Sequence, residues 1–156
     1  MKINKLIKHY GEANVVLSNI YELKIKRGSI DENTTTLRKH CGILVPIQGK
    51  ALYKVEDRPY FLEKGTVLHA GPSMGLSKFV GLEEDWHYYL IHYDILGSPE
   101  AKAFLESYDY SVTVNESIHD QLGSLCRELL SYYQQSNMVN GIKEKFLLYK
   151  IFDILV

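Results

Sequence analysis

Short runs of β-branched and aromatic residues, separated by turn residues, fill the chain between residues 14 and 96. Runs of this kind predict β-strands, and about eight of them at close spacing are typical of a sandwich or a barrel. The polar stretch 27–36 between the second and third runs predicts a loop. The predicted strands cover residues 15–17, 20–25, 40–47, 50–56, 60–62, 66–70, 76–80 and 86–95.

The spacing of apolar residues changes after Gly97. Pro99 predicts the start of a short helix that runs to residue 105, with Ser98 as its N-cap. Residues 110–114 predict one more short strand. Asn115 then predicts the N-cap of a long helix that ends near residue 135, because apolar residues recur there at helical spacing.

A polar loop at Ser136 and Asn137 is predicted before a second helix, which begins near Asn140. Apolar residues recur along this helix, and the chain ends on the apolar residues 154–156. Such an ending is unusual for a native chain, so we expect the natural protein to continue. The chain thus divides into a strand-rich part, residues 1–97, and a helical part, residues 98–156.

Composition and charge exclude several classes of protein. The chain has 156 residues, is 46% hydrophobic and carries a formal net charge of -1, which fits one globular domain without the basic excess of a nucleic-acid-binding protein. No apolar run reaches the roughly 18 residues of a membrane span, and no signal peptide is evident. Cys41 and Cys126 are far apart and form no CxxC pair, so we expect a cytoplasmic protein with free thiols.

Four segments between residues 41 and 93 carry a family resemblance. Residues 49–55 (GKALYKV) resemble a GxGxYxI strand, with an alanine for the second glycine, and residues 60–68 (YFLEKGTVL) resemble a strand-turn-strand unit. Residues 71–73 (GPS) stand where PPG is usual, and residues 86–93 (WHYYLIHY) resemble a WxyyWIHF strand. In this order and spacing, the block resembles the N-terminal sensor domain of AraC-family transcription regulators.

The resemblance implies a mainly β fold: a cupin-like barrel of the double-stranded β-helix or jelly-roll type, followed by a C-terminal α-helical tail. It implies an effector-sensing and dimerisation domain, with a small molecule such as a sugar bound in the barrel. DNA would be bound by a C-terminal helix-turn-helix region that this chain does not contain. The polar N-terminal arm, residues 1–13, would be the mobile element, ordered over the pocket or loose.

The family binds its ligands on the strand face that here carries Trp86, Tyr88 and His92. Aromatic faces with a few convergent polar groups suit a polar organic ligand. Lys78 is a further candidate, because an inward-facing lysine needs an anionic partner, which an anionic ligand would supply. The alternative is that the aromatic residues fill a dry core and His92 is an ordinary core histidine. The candidate ligand-binding residues are Tyr53, Lys78, Trp86, Tyr88, His92 and His40.

One apolar stripe of the long helix is the candidate dimer interface. Packing against its own domain is the default for an amphipathic helix. Leu130 and Tyr132 lie off the stripe and widen the apolar surface, and two-fold helix contacts suit a regulator that reads paired half-sites. We therefore expect a homodimer built on Ile118, Leu122, Leu125, Leu129 and Tyr133.

Catalytic motifs do not stand out in the sequence. Metal-dependent cupins need an HxH pair followed by a glutamate, which is absent, and the position of their second-motif histidine falls near Leu76. Neither cysteine has a histidine at motif spacing, and there is no GxSxG turn. We expect no catalytic residue, metal or cofactor. Two alternatives stay open: a cupin enzyme such as a sugar isomerase, and a dimerisation module whose barrel is filled.

Overall fold

The structure is a computed structural model that describes residues 2–135 and 140–156. The loop predicted at Ser136 and Asn137 lies outside the described residues. In chain order the elements are α1 (Lys2–Glu12), β1 (Ala13–Ile25), β2 (Ile30–Thr35), β3 (Cys41–Gln48), β4 (Ala51–Val55), β5 (Arg58–Leu62), β6 (Thr66–Ala70), β7 (Gly75–Val80), β8 (Trp86–Gly97), α2 (Pro99–Glu106), β9 (Tyr110–Thr113), α3 (Glu116–Gln134) and α4 (Asn140–Leu155).

The strands form two antiparallel sheets that pack into a cupin-like barrel. The five-stranded sheet has the order β1-β8-β3-β6-β9, and the four-stranded sheet has the order β2-β7-β4-β5. One apolar core, including Leu44, Val55 and Trp86, lies between the sheets. A second core, including Ile43 and Leu148, lies between the five-stranded sheet and the helices. The predicted fold class, a mainly β cupin-like barrel with a helical tail, is confirmed.

The five-stranded sheet is buried on both faces. Along β8, Trp86 and Tyr88 belong to the barrel core, whereas Tyr89 and Ile91 belong to the core under the helices. Alternating side chains of a strand point to opposite faces, so a strand with no polar face must be covered twice. This is the arrangement that the run of apolar and aromatic residues in β8 predicts.

Two strand predictions need correction. Residues 15–17 and 20–25 belong to one strand, β1, with a β-bulge between Leu17 and Asn19. Residues 27–36 are not a loop, because β2 forms there and pairs with β7. Nearly every side chain of β2 is exposed, so no apolar alternation marks it in the sequence. Backbone pairing alone makes it a strand.

The N-terminal arm is a helix on the far side of the five-stranded sheet, which corrects the expectation of an arm over the pocket or loose. In α1, Leu6 and Tyr10 are buried in the core under the helices. The ring of His9 stacks on Phe104 of α2 with centroids 4.3 Å apart. Residues of α1 therefore bury an apolar stripe against the helical tail, and the described residues that line the barrel cavities do not include any of them.

The predicted helix starts are confirmed by their caps. Ser98 Oγ accepts a hydrogen bond from the Ala101 N–H at 3.2 Å, and Asn115 Oδ1 accepts one from the Ile118 N–H at 2.9 Å. These bonds satisfy backbone donors that the first turn of a helix leaves free. Within the described residues, no helix combines the length and apolar content needed to cross a membrane.

The apolar stripe of α3 faces inward, which corrects the predicted dimer interface. Leu122, Leu125 and Leu129 are buried in the chain's own core, and Ile118 and Tyr133 are half-buried. Three buried leucines cannot form the surface that contacts another subunit. The stripe instead fixes α3 to the barrel and to α4.

His119 adds a polar clamp between α3 and the barrel. Its Nδ1 accepts a hydrogen bond from the Gly65 N–H at 3.0 Å, and its Nε2 donates to the Pro46 carbonyl at 2.6 Å. Gly65 directly precedes β6 and Pro46 belongs to β3, so the buried imidazole ties α3 to two strands of the five-stranded sheet.

A second polar clamp ties the four-stranded sheet to the segment after α2. Asp109 has a side chain only 2% exposed, and it accepts hydrogen bonds from Arg58 Nε at 2.8 Å and from Tyr60 Oη at 2.5 Å. Burial works to raise the pKa of the Asp109 carboxyl, but the bonds from Arg58 and Tyr60 hold it below its usual value. The carboxylate is therefore charged and fully partnered.

Candidate ligand pocket

A cavity of about 220 Å³ lies between the two sheets. Its rim includes Thr35 and Leu37, which are exposed, and His40, which is half-buried. Strand alternation decides which residues line it: in the middle of β8, for example, Tyr88, Leu90 and His92 enter the cavity and the residues between them do not. The aliphatic lining consists of Leu44, Val55, Leu68, Ala70, Leu76 and Leu90, and the remaining side chains include Thr36, Tyr53, Lys78, Tyr88 and His92.

A smaller cavity of about 90 Å³ adjoins the first. Tyr53, Lys78 and Tyr88 line both cavities and so form the partition between them. The other side chains of the smaller cavity are Ile25, Ser29, Asp31, Val80 and Trp86. The barrel interior is thus neither completely filled nor a single void.

The aromatic residues form a hydrogen-bonded cluster at this partition. Trp86 is fully buried, and its Nε1 donates to Tyr53 Oη at 3.1 Å. The rings of Trp86 and Tyr88 are 5.3 Å apart between centroids. Burial raises the pKa of the Tyr53 hydroxyl above its usual value, so that group stays protonated. Tyr53 and Tyr88 reach the larger cavity, whereas Trp86 lines only the smaller one and supports the others from behind.

Lys78 points into the barrel, one of the two orientations that the sequence allows. It lies on β7 directly opposite Tyr53 of β4, and its Nζ is 3.4 Å from Asp31 Oδ2 on β2. Its side chain is 31% exposed and that of Asp31 is 59% exposed. The sequence does not indicate Asp31, because the polar stretch that contains it predicts a loop.

Two histidines lie on the opposite side of the larger cavity, at the five-stranded sheet. His40 and His92 have ring centroids 6.4 Å apart. His40 Nδ1 donates to Asp94 Oδ1 at 2.5 Å, and His92 Nδ1 donates to Asn19 Oδ1 at 2.6 Å. These partners fix both rings, and they leave Nε2 of His92 as a hydrogen-bond acceptor.

The His92 ring is neutral at neutral pH. Burial, with a contribution from the neighbouring His40, lowers the pKa of His92 to about 4. The sequence indicated both histidines as candidates but not their partners Asn19 and Asp94, since those contacts join residues 54 and 73 positions apart. Within residues 2–135 and 140–156, no three His, Cys, Asp or Glu side chains converge as a metal site.

Solved structures share this fold, while no family model and no curated protein matches the sequence. YhaK from Escherichia coli has a TM-score of 0.50 and 16% identity, over 65% of this chain and 44% of that one. ToxT from Vibrio cholerae has a TM-score of 0.54 and 8% identity, over 88% and 55%. An unsaturated fatty acid-bound ToxT has a TM-score of 0.52 and 12% identity, over 92% and 57%.

These likenesses show the fold alone. The chain spans about half the length of the structures that it matches. The match to ToxT extends beyond the strand-rich part, because 88% of the chain must include part of the helical tail. The fold shared with ToxT therefore includes part of the helical tail.

Proposed function

We propose that this chain is the effector-sensing part of an AraC-type transcription regulator and that a small molecule binds in the larger barrel cavity. The observation that carries the proposal is the cavity itself, an open space lined by aliphatic side chains with one lysine and two oriented histidines. The sequence resemblance over residues 41–93 and the fold shared with ToxT support the regulator context. DNA binding belongs, in this proposal, to a region outside the chain.

The lining favours a ligand with a hydrocarbon body and an anionic group. Six aliphatic side chains offer dispersion contacts, and Lys78 offers the positive charge that a carboxylate needs in a partly buried site. A sugar would need many more polar partners, and Trp86, its expected stacking surface, does not reach the larger cavity. ToxT binds an unsaturated fatty acid. We therefore propose a small apolar carboxylate as the effector class, in place of the sugar.

The rival functions have less support. A filled-barrel dimerisation module does not account for about 220 Å³ of open space. A cupin enzyme would need a metal or an acid–base pair at the cavity. Among the described residues that line the larger cavity there is no carboxylate and no thiol. We propose no catalytic role.

We retain the homodimer, with a different surface. Because the α3 leucines are buried, we place the dimer contact on the exposed apolar side chains of α4 instead. Phe146 is 61% exposed, and Ile142 precedes it by one helical turn on the same face. A second copy of this chain would cover that face through a two-fold contact.

A thermal-shift panel tests the sensing function. It holds straight-chain carboxylates of increasing length, the corresponding amides, sugars, sugar phosphates and divalent metals with a chelator control. A ligand at 100 times its Kd adds about 2.7 kcal/mol to stability, which raises Tm by several degrees in a domain of this size. We expect stabilisation by one or more carboxylates and none by their amides.

A cavity-filling variant makes the test specific to the larger cavity. Leu90→Trp places an indole in the cavity and should abolish the shift, whereas Leu82→Trp makes the same change at an exposed position outside it. Stabilisation that persists in Leu90→Trp would place the ligand elsewhere. A shift with metal alone, reversed by the chelator, would favour the enzyme.

A further inference from the structure

The ion pair between Lys78 and Asp31 joins the ligand pocket to a loosely held edge strand. Lys78 lines both cavities, and its Nζ is 3.4 Å from Asp31 Oδ2. The two partners differ in solvent access. Asp31 is largely exposed and can be rehydrated at once, whereas the Lys78 ammonium is partly withdrawn from water and needs an anion beside it.

The strand that carries Asp31 pairs with β7 at residues 30–31 and 34–35, and further backbone bonds fix its two ends. Before it, Ser29 O accepts a bond from the Val80 N–H at 2.9 Å; after it, the Thr36 N–H donates to Met74 O at 2.9 Å. Thr36 Oγ1 also donates to Gly71 O at 2.7 Å. These bonds hold both ends of β2 against the barrel.

The middle of β2 has much weaker support. Its pairing with β7 is interrupted between Asp31 and Thr34, and Asn33 adopts a positive φ of 58°. The Asn33 N–H reaches Ser77 Oγ only at 3.4 Å. Thr35, at the end of the same strand, belongs to the rim of the larger cavity. The salt bridge from Asp31 is thus a main side-chain tie between this segment and the pocket.

We propose that Asp31 is a built-in competitor for the effector: the anionic group of the ligand replaces the Asp31 carboxylate at Lys78, and residues 31–34 are released when it does. This inference rests on the proposed function and deepens it, because it names the group that the ligand's carboxylate must displace from Lys78. Asp31 then lowers the affinity of the pocket, because a ligand must displace it from Lys78. Ligand binding also changes the outer surface of the barrel, because residues 31–34 lie there.

Fluorescence titration with octanoate tests the exchange, since Trp86 is the single tryptophan of the chain and lines the smaller cavity beside Lys78. Removing an exposed salt-bridge partner has a modest effect, so we expect Asp31→Asn to bind octanoate about two- to five-fold more tightly than wild type. Lys78→Gln should bind about ten-fold more weakly or worse, because it loses a charge-assisted hydrogen bond. Octanamide should not distinguish wild type from Asp31→Asn.

Glu32→Gln is the matched control. It removes the same charge from the adjacent position of β2, where the structure shows no salt bridge among the described residues, and it should leave the octanoate affinity at the wild-type value. Equal gains in Asp31→Asn and Glu32→Gln would mean that net charge alone acts, and would overturn the inference.

Hydrogen exchange gives a second, independent measurement. Saturating octanoate should speed amide exchange at residues 31–34 in wild type, and Asp31→Asn should show that faster exchange without ligand. If wild type binds octanoate but Asp31→Asn binds no better, the competition is wrong and the sensing function stands. If wild type does not bind octanoate at all, both this inference and the proposed ligand class are wrong.

Discussion

Tyr10 on the N-terminal helix and Tyr110 on the last strand of the five-stranded sheet share a hydrogen bond, with their hydroxyl oxygens 2.7 Å apart. The Tyr10 hydroxyl also lies 3.2 Å from that of Tyr93, which in turn lies 2.5 Å from His69 Nε2. His69 Nδ1 donates to the Tyr108 carbonyl at 3.1 Å. If each group donates one hydrogen bond, all the bonds point the same way: Tyr110 donates to Tyr10, Tyr10 donates to Tyr93, and Tyr93 donates to a neutral His69.

Tyr10→Phe tests how much this chain of hydrogen bonds fixes the helix α1. The change removes the shared hydroxyl and leaves its buried neighbours short of a partner, which costs about 1–3 kcal/mol. We expect Tm to fall by several degrees in a thermal melt. Tyr21→Phe, at a half-exposed position on β1, is the control and should melt like wild type. Equal melts for the two variants would show that α1 is held by its apolar contacts alone.

The same network predicts a dependence of stability on pH. Burial lowers the pKa of His69 to about 4, below its value of about 6.5 in an unfolded chain. Between these values the unfolded chain binds the extra proton and the folded chain does not, so stability falls as pH is lowered from about 6.5 towards 4. Protonation would also place a donor on Nε2, facing the Tyr93 hydroxyl that donates to it.

Urea unfolding at pH 7 and pH 4.5 measures this effect. His69→Gln removes the titrating group, so its free energy of unfolding should differ less between the two pH values than that of wild type. One pH unit between the folded and unfolded pKa corresponds to about 1.4 kcal/mol. His92 contributes with the same sign, since burial also lowers its pKa to about 4. A pH dependence unchanged in His69→Gln would contradict a buried neutral histidine at this position.

Asp109→Asn should loosen the clamp between β5 and the segment after α2. The buried amide cannot accept hydrogen bonds from both Arg58 and Tyr60 as strongly as the carboxylate does, so we expect a loss of about 1.5–3 kcal/mol, nearer the lower value because Arg58 is largely exposed. Equilibrium unfolding in urea measures this loss of stability. The control is Asp120→Asn, on the exposed face of α3, which should change the free energy of unfolding by less than about 0.5 kcal/mol.

Phe146→Glu tests the dimer surface on α4. A charge in the middle of a two-fold apolar contact meets its own copy, so we expect the dimer to dissociate without loss of the folded monomer. Sedimentation velocity over a range of concentrations measures the change. Leu82→Glu, at an exposed position on the barrel, should leave the association unchanged. A wild-type chain that sediments as a monomer at every concentration would contradict the proposal.

Local patterns in the sequence were sufficient for most of the barrel. A short run between the turn residues Gly65 and Gly71 located β6 with its bounds, and the run of apolar and aromatic residues from Trp86 indicated that β8 is covered on both faces. Capping chemistry located the start of α3 at Asn115. Each of these signals lies within a few residues of the element that it predicts.

The remainder depended on contacts between distant residues. The strand β2 has no apolar alternation, because its order comes from backbone pairing with β7. For the same reason the sequence does not indicate the partner of Lys78: Asp31 is 47 positions away, in a polar stretch that predicts a loop. The stripe on α3 was recognised, but periodicity does not say whether a helix buries its face against its own domain or a second copy.

The wall between the ligand cavity and the helices is a single strand layer thick. Tyr88 faces the cavity, and Tyr89, joined to it by one peptide bond, faces the core under α3 and α4. If the proposed effector displaces Tyr88, we expect Tyr89 to shift with it, because the two residues are neighbours on β8. The contact inside the barrel and the contact under the helices would then be coupled through one strand, without a relay of side chains.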